Sequence, residues 1–342
     1  MNAEIGIGVV SYAHLHAPRY AAVIAAHPMA RLAGIAGDGF NVVVAKTEAS
    51  HYKVPYYDRV EDLITQPNLQ AIYIGTQPTR HLEVVRLATQ NNLHILCDKP
   101  IATTLEQADE IIAFAKKANV KLMIPFNPRF QLPLIQVKEA LDSGQAGELV
   151  AIYAVKYGRL PTKAPGPQSA EWFLDGAQAG GGGFIDIGIH AIDALRWLAG
   201  AEAKRVYARV GTLIHPNLLV DDLGTMTVEF NNGVVGVLSA GWANPDSYPT
   251  WLDVRFEILT TNQVFLVKSP YHDFTIYTQN HAERRYWWRR DINGLVNEFV
   301  HAILEDRQPA INGEDGRAAL EIALSAYASA HSGAVIEIHN TL

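Results

Sequence analysis

Asp186 and His190 stand four residues apart in the stretch GGGGFIDIGIHAIDALRWLAG (180–200). If a helix begins at the end of the glycine run, that spacing puts both side chains on one face. A histidine changes charge near neutral pH, so His190 suits general-base work, with Asp186 beside it to bind a ligand or orient the site. Lys99, in CDKP (97–100), follows the apolar run Leu93–Cys97. A lysine at a strand end can present a fixed cation to an oxygen that gains negative charge during reaction. His14 and His16, in SYAHLHAPRY (11–20), bring two more imidazoles together. Cys97 is the only cysteine, so no intrachain disulfide forms, and a single thiol without a paired base reads as packing.

The elements that must hold these residues alternate over the first 125 positions. Strand signals at Ile5–Val10, Arg31–Ala36, Ala71–Gly75, Leu93–Cys97 and Val120–Ile124 are separated by helical stretches. The helices are read at Ala17–His27, about 81–91 and about 104–118. Such alternation predicts right-handed βαβ units and a doubly wound parallel sheet of the Rossmann type. The opening IGIGVV suggests a glycine-rich phosphate loop at Gly6-x-Gly8-x-x-Ser11, but that register would run a helix through Pro18. The workable register makes Ile5–Val10 the strand and Ser11–His16 the loop, with Ser11, Ala13 and His16 in the glycine slots. Asp38, between Gly37 and Gly39 at the end of the second strand, is placed to accept hydrogen bonds from an adenosine ribose. No Lys or Arg follows it before Lys46, which favours NAD over NADP.

After Pro125 the pattern changes. A long strand, GELVAIYAVKYGR, precedes the glycine run and an apolar helix. Alternating segments fill about 204–278, with a hairpin turn at Asn232-Gly233, and two helices close the chain at roughly 291–306 and 316–331. The expected architecture is a Rossmann domain (1–125) and an α+β domain (126–342). The second domain carries an open, mostly antiparallel sheet with helices on one face, and the last helices pack back on the first domain.

LHILCDKPIATTLEQADEIIAFAKKANVKLMIPFNPRF (93–130) resembles the glucose–fructose oxidoreductase/inositol dehydrogenase (Gfo/Idh/MocA) family, with Asp98-Lys99-Pro100 where members usually carry Glu-Lys-Pro. GGGFIDIGIHAIDALRWLAG resembles its second signature, and VDDLGTMTVEFNNGVVGVLSAGWANP and EDGRAALEIALSAYASAHSG resemble its sheet and closing helix. The resemblance spans the chain in order and is weakest at the phosphate loop. It implies hydride transfer between NAD, less so NADP, and a C–OH or C=O group of a sugar, inositol or related polyol. It implies Lys99, Asp186 and His190 as catalytic residues and no metal. Ser11, Ala13, His14, His16, Asp38, Thr76, Gln77, His81, Asp98, Lys99 and Asn127 would take the cofactor. Arg129 falls at the same cleft, and Asp193 reads as structural. The Pro- and Gly-rich stretch 157–178 would rim the cleft and help select the substrate.

Composition agrees with an enzyme rather than a polyanion binder. The chain has 342 residues, 49% hydrophobic and 18% charged, and a net charge of −7, which disfavours nucleic acid and anionic membranes. No 18-residue apolar run and no basic-then-apolar start occur, so a cytoplasmic protein is expected. RRYWWRR (284–290) mixes cations and aromatics as nucleic-acid binders do, but reads better as a loop packed on the sheet or cleft. Apolar residues on both faces of MTVEFNNGVVGVLSA predict a homodimer or homotetramer through the second sheet. Two other functions compete. A dinucleotide- or sugar-sensing regulator would keep the fold without turnover, against which the joint presence of Lys99, Asp186 and His190 argues. A metal-dependent hydrolase is suggested by His14-x-His16, the kind of pair that opens amidohydrolase barrels, but would need eight βα units.

Overall fold

The structure is a computed structural model that describes residues 4–164, 166–269, 273–278, 280–286 and 292–339. Six short strands form the first sheet: β1 (Ile5–Val10), β2 (Ala30–Ala36), β3 (Tyr56–Tyr57), β4 (Ala71–Ile74), β5 (His94–Cys97) and β6 (Leu122–Met123). All neighbours are parallel, in the order β3-β2-β1-β4-β5-β6. That order reverses direction between β1 and β4. The crevice beyond the strands' carboxyl ends at this switch point is where ligands bind in such sheets. Around the sheet run α1 (Ala17–Ala25), α2 (Val42–Tyr52), α3 (Val60–Ile64), α4 (His81–Gln90) and α5 (Leu105–Lys117). β1 is buried along its whole length and α1 starts at Ala17, with Pro18 in its first turn. Gly6 and Gly8 are therefore strand residues. Ser11 takes φ +71°, the left-handed conformation that normally calls for glycine.

A helix, α6 (Leu132–Asp142), leads into the second sheet. Its strands are β7 (Leu149–Gly158), β8 (Ala203–Gly211), β9 (Leu223–Phe230), β10 (Val235–Gly241), β11 (Leu252–Thr260), β12 (Gln263–Ser269), β13 (Asp273–Thr278), β14 (Ala282–Tyr286) and β15 (Ile336–Glu337). Their order is β14-β13-β12-β11-β7-β10-β9-β8-β15, antiparallel except for β7 beside β10. The Asn232-Gly233 turn joins β9 to β10, with Gly233 at φ +86°. RRYWWRR begins in β14; its residues 287–290 lie outside the described part of the chain. Both sheets are open, so the closed barrel that a hydrolase reading of His14-x-His16 would need does not form.

One face of the second sheet is covered by α8 (Gly183–Ala199), which follows the one-turn helix α7 (Gly176–Ala179), and by α10 (Gly313–Ser332). The other late helix, α9 (Ile292–Leu304), packs on α1, and α10 also meets α5, where Arg317 pairs with Asp109 at 2.5 Å. The closing helices thus tie the two sheets together. No helix among the described residues is long and apolar enough to cross a membrane.

Candidate active site

Helix α8 is buried on nearly every side, which fixes where its polar residues point. Its start sits tight under the β8–β9 connection. A Cβ on Gly182 would lie 2.0 Å from the Asp221 carbonyl oxygen, and one on Gly183 would lie 2.5 Å from that of Asp222. The Asp221 carboxylate accepts the amides of Gly182 (2.8 Å) and Phe184 (2.7 Å), satisfying donors that a helix start leaves open. The glycine run thus lets the helix begin close to the sheet, and Asp186 and His190 follow within it.

Lys99 lies two residues past the end of β5 and is 3% exposed. Its Nζ donates to Asp186 Oδ1 (2.7 Å) and to the Asp186 carbonyl (2.8 Å). Asp186 Oδ2 accepts Trp242 Nε1 (2.9 Å). Burial pushes the Asp186 carboxyl up, but the Lys99 ammonium and the hydrogen bonds from Lys99 and Trp242 outweigh it and hold it below the usual carboxylate range. His190 faces the same cavity. Its Nδ1 is buried with no partner among the described residues. Burial pushes its pKa well below the ordinary value, helped by the positive charges of Lys156 and Lys99, so the ring is neutral at pH 7. The cavity, about 290 Å³, is lined by His14, His16, Lys99, Lys156, Asp186 and His190 among others.

Several of these residues escaped the sequence reading. Lys156 is buried on β7, and burial together with Lys99 pushes its ammonium well below the usual lysine range. The signal was present: in β7 the buried positions alternate, Ile152, Ala154, Lys156, Gly158, so a lysine sits on the inward face of an amphipathic strand. Trp242 holds Asp186 from β10's end. Arg159, Gln168 and Phe173 line the cavity from the stretch expected to rim it. Gln168 also donates to the Tyr12 carbonyl (3.1 Å), and Trp172 Nε1 donates to that of Ala13 (3.0 Å).

At the strand ends of the first sheet, Thr76 Oγ1, both amide atoms of Gln77 and Asn127 Oδ1 are buried without partners. Buried polar groups are normally satisfied, so these atoms fit a polar ligand such as a dinucleotide. The phosphate loop is more closed than a glycine loop. The amides of Ala13, His14, His16 and Ala17 already donate to Ser11 Oγ (3.0 Å), the Gly75 carbonyl (2.9 Å), His14 Nδ1 (3.1 Å) and the His14 carbonyl (3.1 Å). A pyrophosphate there finds fewer open amides than usual. Asp98 is fully buried. It binds His16 Nδ1 (3.2 Å), Tyr73 Oη (2.5 Å) and the Lys99 amide (2.7 Å), and stands 3.4 Å from His14 Nδ1.

Other residues have their side chains committed elsewhere. His81 is buried and bridges the carbonyls of Ile101 (3.1 Å) and Thr76 (3.3 Å), so it shapes the loop instead of facing a ligand. Arg129 forks onto Asp193 (2.8 and 2.6 Å) and reaches Asp315 (3.0 Å), a buried ionic cluster that braces α8 against α10. Asp38 keeps its place at the end of β2, but the sequence neighbourhood gave the wrong impression of its surroundings. Arg80, from the segment after β4, pairs with it at 2.9 Å.

Comparison with known proteins places the chain in a family. Residues 5–126 match the family model described as an oxidoreductase family with an NAD-binding Rossmann fold, and residues 134–265 match a GFO/IDH/MocA C-terminal domain. Among curated relatives, a myo-inositol 2-dehydrogenase of Thermotoga maritima is 27% identical, over 80% of each chain. Among solved structures, an aldose-aldose oxidoreductase from Caulobacter crescentus complexed with glycerol superposes with TM-score 0.84 at 22% identity, covering 98% of this chain and 100% of that one. A levoglucosan dehydrogenase in complex with NADH and levoglucosan does so with TM-score 0.85 at 20% identity, covering 98% and 99%. With both of its halves matched in order, the chain belongs to the GFO/IDH/MocA oxidoreductases, and its first domain is their NAD-binding Rossmann fold.

Proposed function

We propose that the protein moves a hydride between the nicotinamide of NAD and a C–OH or C=O carbon of a sugar, an inositol or a related polyol. One observation carries this reading: a Lys99 ammonium held 2.7 Å from Asp186, in one cavity with a neutral His190 whose Nδ1 is unpartnered. Bound NAD supplies the hydride acceptor for oxidation. Thr76, Gln77 and Asn127 would hold its nicotinamide and ribose end, and Ser11, Ala13, His14 and His16 would flank its phosphates.

His190 takes the hydroxyl proton at Nδ1 in oxidation and returns it in reduction. Lys99 donates to the same oxygen and stabilises its negative charge, while Asp186 fixes the direction of the ammonium. The buried Lys156 side chain, which lines the same cavity, adds a donor. The relatives named for myo-inositol and levoglucosan support a polyhydroxylated substrate. NAD is favoured over NADP because Asp38 neutralises Arg80, the cation near the adenosine ribose. We also take residues 1–125 as the cofactor domain and 126–342 as the substrate domain. The free face of the second sheet supports a homodimer or homotetramer. A buried, reduced Cys97 is consistent with the cytoplasm.

The test is a panel of inositols, aldoses, anhydrosugars and their keto forms, read by absorbance of the reduced nicotinamide. Turnover of at least one with NAD is expected; no absorbance change with any member in either direction would overturn the reading.

A further inference from the structure

One cluster beside the cavity takes no part in the proton and hydride steps. His14 and His16 come from the β1–α1 loop and Asp98 from the end of β5, and one ligand-type atom from each lies within 4.8 Å of the others. The contacts are closer than that limit. His16 Nδ1 is 3.2 Å from each Asp98 oxygen, and His14 Nδ1 is 3.4 Å from Oδ2. Ligands bound at 2.0–2.2 Å around a tetrahedral zinc ion sit roughly 3.3–3.6 Å from one another. The two His–Asp separations are close to those of a common coordination sphere, and the histidine ligand atoms lie within 4.8 Å of each other.

We infer that His14, His16 and Asp98 form a binding site for a divalent transition-metal ion of the zinc type, with its open position facing the cavity. Two further features fit. His14 Nδ1 accepts the His16 amide, so it carries no proton, as a ligand atom must not; the ion would displace that 3.1 Å contact. The carboxylate is already oriented by outer partners, the Tyr73 hydroxyl on Oδ2 and the Lys99 amide on Oδ1, which is how metal-binding carboxylates are usually held. Two histidines and one carboxylate are a common set for ions that keep a position for water or substrate. His14, His16 and Lys99 all line the cavity, so a hydroxyl or carbonyl oxygen bound there could occupy that position. The inference stands apart from the hydride reading and does not require it.

The experiment uses the full chain stripped with a chelator. Zinc sulfate is titrated by calorimetry, and cobalt(II) by its visible absorption, whose intensity reports tetrahedral coordination. One equivalent of zinc per chain and an intense cobalt band are expected. His16→Ala and Asp98→Asn should each abolish the cobalt band, and Tyr73→Phe should weaken zinc binding by about 10–100-fold. Circular dichroism shows whether each variant is folded; if the ligand variants are not, the parent's stoichiometry and cobalt spectrum still decide. A parent without stoichiometric zinc binding, or folded ligand variants that bind like the parent, would overturn the site. NADH fluorescence in the same metal-free sample reads cofactor binding separately, so failure of the metal site and failure of the hydride reading are told apart.

Discussion

Lys99 and Asp186 are 87 positions apart in sequence and 2.7 Å apart in the fold. Removing the ammonium should cost the stabilisation of a developing alkoxide while leaving most of the cofactor surface intact. Lys99→Ala is expected to lower kcat on the order of 10²–10⁴-fold with a small change in NADH affinity, measured by steady-state kinetics and fluorescence titration. For His190, burial and nearby cations depress the pKa, so the neutral base persists below the ordinary histidine value of about 6.5. The acidic limb of the oxidation rate should therefore lie below that value and disappear in His190→Ala, read from kcat/KM against pH. Asp38 makes a third residue-scale test. Its side chain is fully covered and paired with Arg80, which is 30% exposed. Asp38→Ala frees a guanidinium next to the ribose, so NADP should gain on NAD by about tenfold, roughly 1.4 kcal/mol, in paired calorimetric titrations. Asp186, His190 and Lys99 were legible because each carries chemistry in its own type and spacing. Arg80 and Trp242 were not, since their importance lies in neighbours from distant segments, while Lys156 was signalled only by its place on the inward face of β7.

At the scale of elements, the parallel pairing of the first sheet and the start of α1 were legible from apolar runs and one proline. Pro18 excluded the early glycine register, and the left-handed Ser11 now explains why that slot usually holds glycine. The two-residue β3 left no alternation to read, and α2 opens with Val42, Val43 and Val44, a run of β-branched residues that resembles a strand. The committed amides of the phosphate loop were equally hidden, because their acceptors include Gly75 and the ring of His14. The start of α8 is the element on which the site depends most. Gly182→Ala would force a Cβ against the Asp221 carbonyl, 2.0 Å away, and the helix must shift to accept it. A loss of about 1–3 kcal/mol in urea unfolding is expected, with kcat falling because Asp186 and His190 move together.

For the whole molecule, the unanswered surface is the outer face of the second sheet. Register places Tyr207 beside Thr227, Thr227 beside Val237, and Val237 beside Tyr153, one row across β8, β9, β10 and β7. The alternate residues Ala208, Met226, Leu238 and Ala154 point inward and are buried beneath α8 and α10. Alternation therefore delivers an outward row rich in tyrosine and valine, with Tyr207 52% and Tyr153 47% exposed, and Val150 and Val235 exposed nearby. We propose that two copies bury this patch against each other; a two-fold axis would make the patch its own partner. Light scattering at micromolar concentration should give twice or four times the mass of one chain. Tyr153→Glu combined with Val237→Lys should shift it toward the monomer while far-ultraviolet circular dichroism stays unchanged, since neither side chain supports the core. A parent that is monomeric under these conditions would remove the sheet from consideration as an interface.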